Sequence, residues 1–287
     1  MNTAKGFRNH PRVQRSAVLR KAATFAMEPK LMLQRRQVRR SDFASAPPIV
    51  VNSLPKSGTH LLLQIARAMP GSHYYGRFVA TAPSVSLKQR SPDALARRIR
   101  RFMPGETAGA HLHYLPEVAH ALEEINALHL FIYRDPRDVI ISEVHYLTDM
   151  NRWHRMHKHF RGLPDSHARL ALALNGLDLR YPEANARMLP YAGWVDAPSV
   201  IAIRYEDLIG PRQGDEIARI VAAWQARGGA IETDELERRL RESIDPKRSH
   251  TFREGGSGKW RRGLTNTEAD RITEYLKPAL TAYGYAL

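Results

Sequence analysis

Residues 49–60, Ile-Val-Val-Asn-Ser-Leu-Pro-Lys-Ser-Gly-Thr-His, constrain the fold of this chain more than any other stretch. A short β-branched run ends in a loop carrying Lys56, Ser57, Gly58 and Thr59, and the apolar, helix-compatible segment Leu61–Met69 follows at once. A buried strand feeding a tight loop at a helix N-terminus aims backbone N–H groups and a positive dipole end at one point. Gly58 lets the backbone approach a ligand closely, Lys56 adds a mobile charge, and Ser57 and Thr59 add hydroxyl donors. The natural guest is a phosphate or sulfate group; the alternative is an ordinary strand-to-helix turn with a surface lysine. A Walker loop is not present, because that motif places its lysine after a second glycine. Here Lys56 precedes Gly58 and Pro55 stands just before it, which argues against a Walker-type NTPase.

Further β-rich runs occur at Leu128–Tyr133 and Ser199–Ile203, with helix-compatible stretches near 59–69, 92–103, 116–126, 137–149, 166–189 and 213–228. Apolar runs that do not alternate with polar residues predict a sheet covered on both faces. Strands interleaved with helices predict a three-layer α/β/α fold around a parallel sheet, with ligands beyond the carboxyl ends of the strands. The Ala46-Pro47-Pro48 punctuation divides a basic extension, residues 1–46, from one large domain, residues 47–287. Residues 245–265 read as a glycine-rich basic loop, and a final helix is expected over 267–283.

The net charge of +15 is unevenly placed. Residues 1–40 hold eleven Lys or Arg against a single acid, Glu28, so +10 lies there and +5 in the remaining 247 residues. Such a tail suits nucleic acid or an anionic membrane surface, imitates an organellar transit peptide, or is simply a solvated extension. Leu31, Met32 and Leu33 add the apolar character of a membrane-lying helix. A second basic cluster runs from Lys88 to Arg101. With no cysteine, disulfides, thiolate catalysis and cysteine-ligated zinc are excluded. No apolar run approaches a bilayer span of about 20 residues, and no secretory h-region is present. The expected location is cytoplasmic, with peripheral membrane association as an option.

A second strand-loop-helix unit, Leu130-Phe-Ile-Tyr-Arg-Asp-Pro-Arg-Asp-Val-Ile-Ile-Ser142, places Arg134 at a strand end and Ser142 on the following helix. A guanidinium and a hydroxyl that converge make a phosphate clamp. The competing reading pairs Arg134 with Asp135 and uses Asp135 as a helix cap.

Taken together, the two units resemble the 5′-phosphosulfate loop and the 3′-phosphate motif of sulfotransferases that use 3′-phosphoadenosine 5′-phosphosulfate (PAPS). Pro-Lys-Ser-Gly-Thr is unbroken at Pro55–Thr59, and Arg-x-Pro-x-Asp-x-x-x-Ser at Arg134–Ser142. Arg204-Tyr-Glu-Asp-Leu208 is similar to the family's Tyr-Glu-Asp segment, and Phe252 to Thr265 to its closing loop. The resemblance implies PAPS as donor and no metal. Lys56 would then neutralise charge on the bridging oxygen as the sulfuryl group leaves. Pro55, Lys56, Ser57, Gly58, Thr59 and His60 would form the 5′-phosphate loop. Arg134 and Ser142, with Arg253, Glu254 and Gly255 of the closing loop, would hold the 3′-phosphate, and Tyr205 would contact the nucleoside.

The family's base is a histidine after a strand, and Thr107-Ala-Gly-Ala-His-Leu-His-Tyr-Leu-Pro-Glu occupies the equivalent stretch. His111 is the better match for a general base; His113 is the runner-up, Glu117 the fallback, and both histidines also fit as polar strand-end residues. Several positions depart from the family. Gly109 replaces its lysine, His60-Leu61 replaces Thr-Trp, Glu254 replaces the closing loop's lysine, and Lys259 stands where Asp is usual. These departures indicate a bacterial or otherwise divergent branch. His154, His157 and His159 read as polar helix surface or an acceptor-site wall rather than a metal site. A small-molecule or glycan acceptor is expected under lids built from residues 149–195. The rival functions are a nucleotide kinase with a divergent loop and a basic nucleic-acid-binding protein. Stabilisation by adenosine 3′,5′-bisphosphate (PAP) but not by ATP–Mg²⁺ separates the transferase from the kinase.

Overall fold

A computed structural model describes residues 17–229, 232–245, 258–262 and 264–287. Its centre is a five-stranded parallel sheet of β1 (Ile49–Ser53), β2 (His73–Ala80), β3 (Glu106–His111), β4 (Leu128–Tyr133) and β5 (Val200–Arg204), in the order β2-β3-β1-β4-β5. The middle strand, β1, pairs Asn52 with Ala110 on one side and with Phe131 on the other. Its carboxyl end therefore opens between those of β3 and β4, where the chain turns toward the loop at Lys56.

The helices in chain order are α1 (Ala17–Arg35), α2 (Arg40–Ser45), α3 (Thr59–Ala68), α4 (Pro92–Ile99), α5 (Pro116–Glu124) and α6 (Pro136–His145). They continue with α7 (His157–Arg161), α8 (Ser166–Asn175), α9 (Ala184–Met188), α10 (Tyr205–Ile209), α11 (Gln213–Gln225), α12 (Thr233–Glu242), α13 (Asn266–Tyr275) and α14 (Lys277–Ala282). Pro92, Pro116 and Pro136 each stand in a first helical turn, where the missing N–H is harmless and φ is already helical. Ser91 caps α4 through Ala94 N, and Thr265 with Glu268 forms a capping box on α13.

The strands bury both faces. Ile49, Val51, Leu130 and Ile132 meet α3, α11 and α12, whereas Val50, Ala108, Ala110 and Phe131 meet α4, α5, α6 and the C-terminal helices. Each fully buried aliphatic or Phe side chain here contributes about 1.5–3 kcal/mol. The three-layer α/β/α expectation thus holds, with its strand runs shifted by at most one residue.

Several local expectations change. β3 is built from small residues because Phe78 of β2 lies over it: a Cβ on Gly109 would come within 2.7 Å of the Phe78 ring. The helix expected over 166–189 ends at Asn175. Gly176 has φ of 75° with its Cα 's side against Pro182 and Tyr181 backbone, where a Cβ would sit at 2.5 Å, and Asp178 closes a turn onto Tyr181. The expected final helix is divided by Pro278 in the first turn of α14. Part of the N-terminal extension is ordered helix: α1 buries Ala23 and Leu31 and pairs Glu28 with Arg77 of the edge strand β2 at 2.9 Å. Beneath that pair, Glu106 is buried and its carboxyl is pushed up to about 7 by desolvation, which Arg77 at 3.1 Å opposes.

Candidate functional site

The site lies at the carboxyl ends of β1, β3 and β4. β1 leads through Pro55 into a turn whose Lys56 takes a positive φ of 70°, a conformation that costs about 1–3 kcal/mol without a glycine. Gly58, at φ of 100°, is the N-cap of α3. It cannot be larger, since a Cβ would meet Tyr205 Cδ2 at 2.7 Å and Cε2 at 2.9 Å. The first amides of α3 consequently point at the loop's concave side, as unsatisfied donors at a helix start do. The Ser57 hydroxyl is buried and has no hydrogen-bond partner among the described residues. His60, next along α3, is exposed.

Lys56 Nζ stands 3.7 Å over the centroid of the Tyr146 ring. Tyr146 opens a π-helical turn, Tyr146–Met150, that extends α6, and its hydroxyl accepts from Asn151 Nδ2 at 2.9 Å. Burial brings the Lys56 ammonium down to about 8; Glu143 resists this shift and Arg134 adds to it. Glu143 in turn accepts from Arg187 at 2.7 Å, so the acid beside Lys56 is already partnered.

Arg134 leaves the end of β4 and meets Asp138 Oδ2 at 3.2 Å, with its guanidinium 4.6 Å over the Tyr205 ring. Asp135 does cap α6, through Arg137 N at 2.8 Å, but it pairs with Arg137 rather than Arg134. Asp138 and Ser142 are four residues apart on α6 and so share one helical face. The Asp138 carboxylate also accepts from Gly258 N and Trp260 N, each at 2.9 Å, drawing the C-terminal segment to the same face. Arg253, Glu254 and Gly255, expected in the phosphate clamp, lie outside the described residues. Tyr205 is buried, packed on Gly58 and under Arg134, and so supports the loop from behind.

Two histidines follow from β3, and they face different surroundings. His111 Nδ1 lies 3.0 Å from Ser53 Oγ and 3.1 Å from the Ser53 carbonyl oxygen. A carbonyl only accepts, so Nδ1 carries the proton and Nε2 is left as a free acceptor. Ser53 Oγ also touches Thr59 Oγ1 at 2.6 Å, tying the ring to the first residue of α3. Desolvation brings His111 down to about 4, the Ser53 contact opposes this, and the nearby His60 and Lys56 add to it. His113 is also brought down to about 4 by burial, but its ring packs edge-on against Tyr191 at 4.7 Å and its backbone N–H donates to Thr81 Oγ1. Only His111 of the two feels Lys56.

Asn52 is a site residue that pattern reading passed over. Its side chain is fully buried and accepts from Leu112 N at 2.8 Å and from Ser53 N at 2.9 Å, clamping the exit of β3 to β1. An asparagine inside an otherwise apolar strand was the available signal. Asp138 stands in the Arg134–Ser142 pattern without an assigned role, and Glu143 lies just beyond it. Of the histidine trio, His157 is buried on the Leu147 carbonyl at 2.7 Å, His154 accepts from Met156 N, and His159 is exposed. Among the described residues no three metal-capable side chains converge. His157 also borders a polar cavity of about 310 Å³ with Thr148, Asp149, Arg152 and Arg161.

No family model matches the chain, and no curated protein matches it significantly in sequence. Solved structures do match in shape. Mouse sulfotransferase SULT7A1 complexed with PAP aligns with a TM-score of 0.57 at 18% identity, over 87% of this chain and 89% of that one. The fold is that of the sulfotransferases. Retinol dehydratase in complex with androsterone and inactive cofactor PAP aligns at a TM-score of 0.50 and 14% identity, over 85% of this chain and 81% of that chain. Within this fold three of the four sequence motifs occupy one end of one sheet, namely the loop after β1, the Arg134 unit after β4 and Tyr205 after β5, and β3 ends beside them with His111; the fourth, Phe252 to Thr265, lies largely outside the described residues.

Proposed function

We propose that this chain is a sulfotransferase that moves the sulfuryl group of PAPS to a hydroxyl or amine of a small-molecule or glycan acceptor. The observation that carries the reading is the buried, unpartnered Ser57 hydroxyl in a loop where Lys56 and a helix N-terminus converge. Leaving a buried hydroxyl unmatched costs about 1–3 kcal/mol, so an anionic guest that accepts its hydrogen bond fits the loop. The two PAP-bound proteins that share the fold support the choice of guest.

When bound, PAPS supplies an activated sulfuryl group on a phosphate leaving group. Ser57, the Gly58–Thr59–His60 amides and Pro55's turn would hold the 5′-phosphate, and Arg134, steadied by Asp138, would hold the 3′-phosphate with Ser142 alongside. Tyr205 would fix the Arg134 plane and the loop wall. Lys56 would place its ammonium at the bridging oxygen, where stabilising developing charge is worth most. His111 is neutral at physiological pH and offers Nε2 to the acceptor's proton, with Ser53 holding the tautomer. The ring of Phe78 packs 4.8 Å from His111 and fills the room over Gly109, so no second cation reaches the site from β3.

The test is transfer from labelled PAPS to a panel of phenols, alcohols, amines and glycans. Lys56→Ala is expected to stay folded and lose at least about a hundredfold in rate. His111→Asn should lose activity while His113→Asn keeps most of it. Thermal stabilisation by ATP–Mg²⁺ in place of PAP would overturn the assignment.

A further inference from the structure

We propose that the outward face of α1 docks on the surface of an anionic lipid bilayer. The inward face is fully engaged with the edge of the domain. Ala23 and Leu31 are buried there, Thr24 Oγ1 donates to the Tyr75 carbonyl, and Arg35 Nε donates to the Arg100 carbonyl at 3.2 Å. Glu28 takes the Arg77 guanidinium through both carboxylate oxygens, at 2.9 and 3.2 Å.

A helix seated in this way should turn charged residues to water. α1 does the opposite. Ala22, Phe25, Ala26, Pro29, Met32 and Leu33 are all exposed, with Phe25 at 72%, Leu33 at 63% and Met32 at 51%. At 100° per residue these six fall within an arc of roughly 120°, so they form one continuous stripe. Single exposed apolar residues are ordinary on a protein surface, but a contiguous stripe is not.

Charge selects the occupant. Lys30 is exposed beside the stripe and Arg36 just past the end of α1, and the first forty residues carry eleven basic residues against one acid. A nucleic acid would use the charge and leave the stripe in water. A neutral protein groove would use the stripe and leave the charge idle. An interfacial helix lying in the plane of an anionic membrane uses both. No helix among the described residues is long and apolar enough to cross a membrane, so the contact made by α1 is a peripheral one.

The experiment is co-sedimentation of the full chain with phosphatidylcholine vesicles containing about one third phosphatidylglycerol, against pure phosphatidylcholine. Wild type should partition onto the anionic vesicles and be released by high salt. The triple change Phe25→Ser, Met32→Ser, Leu33→Ser should weaken partitioning at least about tenfold while leaving the circular dichroism and melting temperature in place. Because the chain has no cysteine, Phe25→Cys can carry an environment-sensitive dye whose emission should shift blue on anionic vesicles. The same dye at the exposed Val85 should not respond. The proposal is overturned if the triple variant binds vesicles like wild type, or if the dye at position 25 stays in water while wild type sediments. It is also overturned if wild type binds RNA or DNA and not vesicles. A dimer dissolved by the triple change, with vesicle binding intact, would assign the face to a second copy of the chain instead.

Discussion

Ser57→Ala should move stability and ligand affinity in opposite directions, and each magnitude follows from the same hydroxyl. In the free protein the Ser57 oxygen is buried and meets no partner among the described residues. Removing an unsatisfied buried hydroxyl recovers part of a desolvation penalty of about 1–3 kcal/mol, less a few tenths for the small void left behind. A net gain of about 1 kcal/mol corresponds to a melting-temperature rise of about 2 °C at this chain length. In the proposed complex the same hydroxyl would donate to a charged oxygen, a bond worth about 1.5–3 kcal/mol. Its loss should raise the Kd for PAP about 10- to 150-fold. Differential scanning fluorimetry without ligand and titration calorimetry with PAP measure the two effects on one preparation. A variant that melts lower and binds PAP as tightly as wild type would show that the hydroxyl serves the fold, and the reasoning about the loop would fail.

The pH profile of kcat/KM should be bell-shaped. His111 is a usable base only above about 4, and Lys56 is a cation only below about 8, so activity rises through the first value and falls through the second. An anion raises the lysine's proton affinity, so PAP binding should take up protons above about pH 8 and weaken up to about tenfold per further unit; a flat Kd across that range contradicts the placement of Lys56. Asp138→Asn should destabilise by about 3 kcal/mol, because it strips the buried partner from Arg134 and one acceptor from the Gly258 and Trp260 amides. Urea denaturation measures this loss, and weakened PAP binding should accompany it. Gly58→Ala should lose about 2–4 kcal/mol and also weaken PAP binding, since the new methyl displaces Tyr205 and with it the platform under Arg134; unchanged melting would refute the packing account.

What was legible in the sequence was local. The apolar runs of β1, β4 and β5 and the loops after them are set by neighbours within a dozen residues, and they appear where the patterns place them. β2 left no strand pattern, and β3 was legible only through the resemblance, because their pairing is tertiary. Half of β2 is only partly buried at the sheet edge, and β3 is Glu-Thr-Ala-Gly-Ala-His, a run chosen to fit under Phe78 rather than by strand propensity. The break after Asn175 was hidden for a similar reason, since Gly176 stops the helix through a contact with Pro182 and Tyr181. In the site, the resemblance named the residues proposed to meet a ligand. The residues that hold them in place, Asn52, Asp138 and Glu143, also act across 60, 120 and 44 positions of chain, and those long-range contacts leave no local trace.

The pair of hydroxyls between His111 and α3 joins the proposed proton acceptor and the proposed anion cradle into a single mechanical part. Ser53 ends β1 and Thr59 begins α3, and one short contact between them closes the loop that holds Lys56, Ser57 and Gly58. A shift of the cradle is therefore transmitted to the imidazole by one oxygen. A group seated in the cradle would thus bear on the same serine that holds the imidazole through both its hydroxyl and its carbonyl, so cradle and ring would keep one spacing as they move.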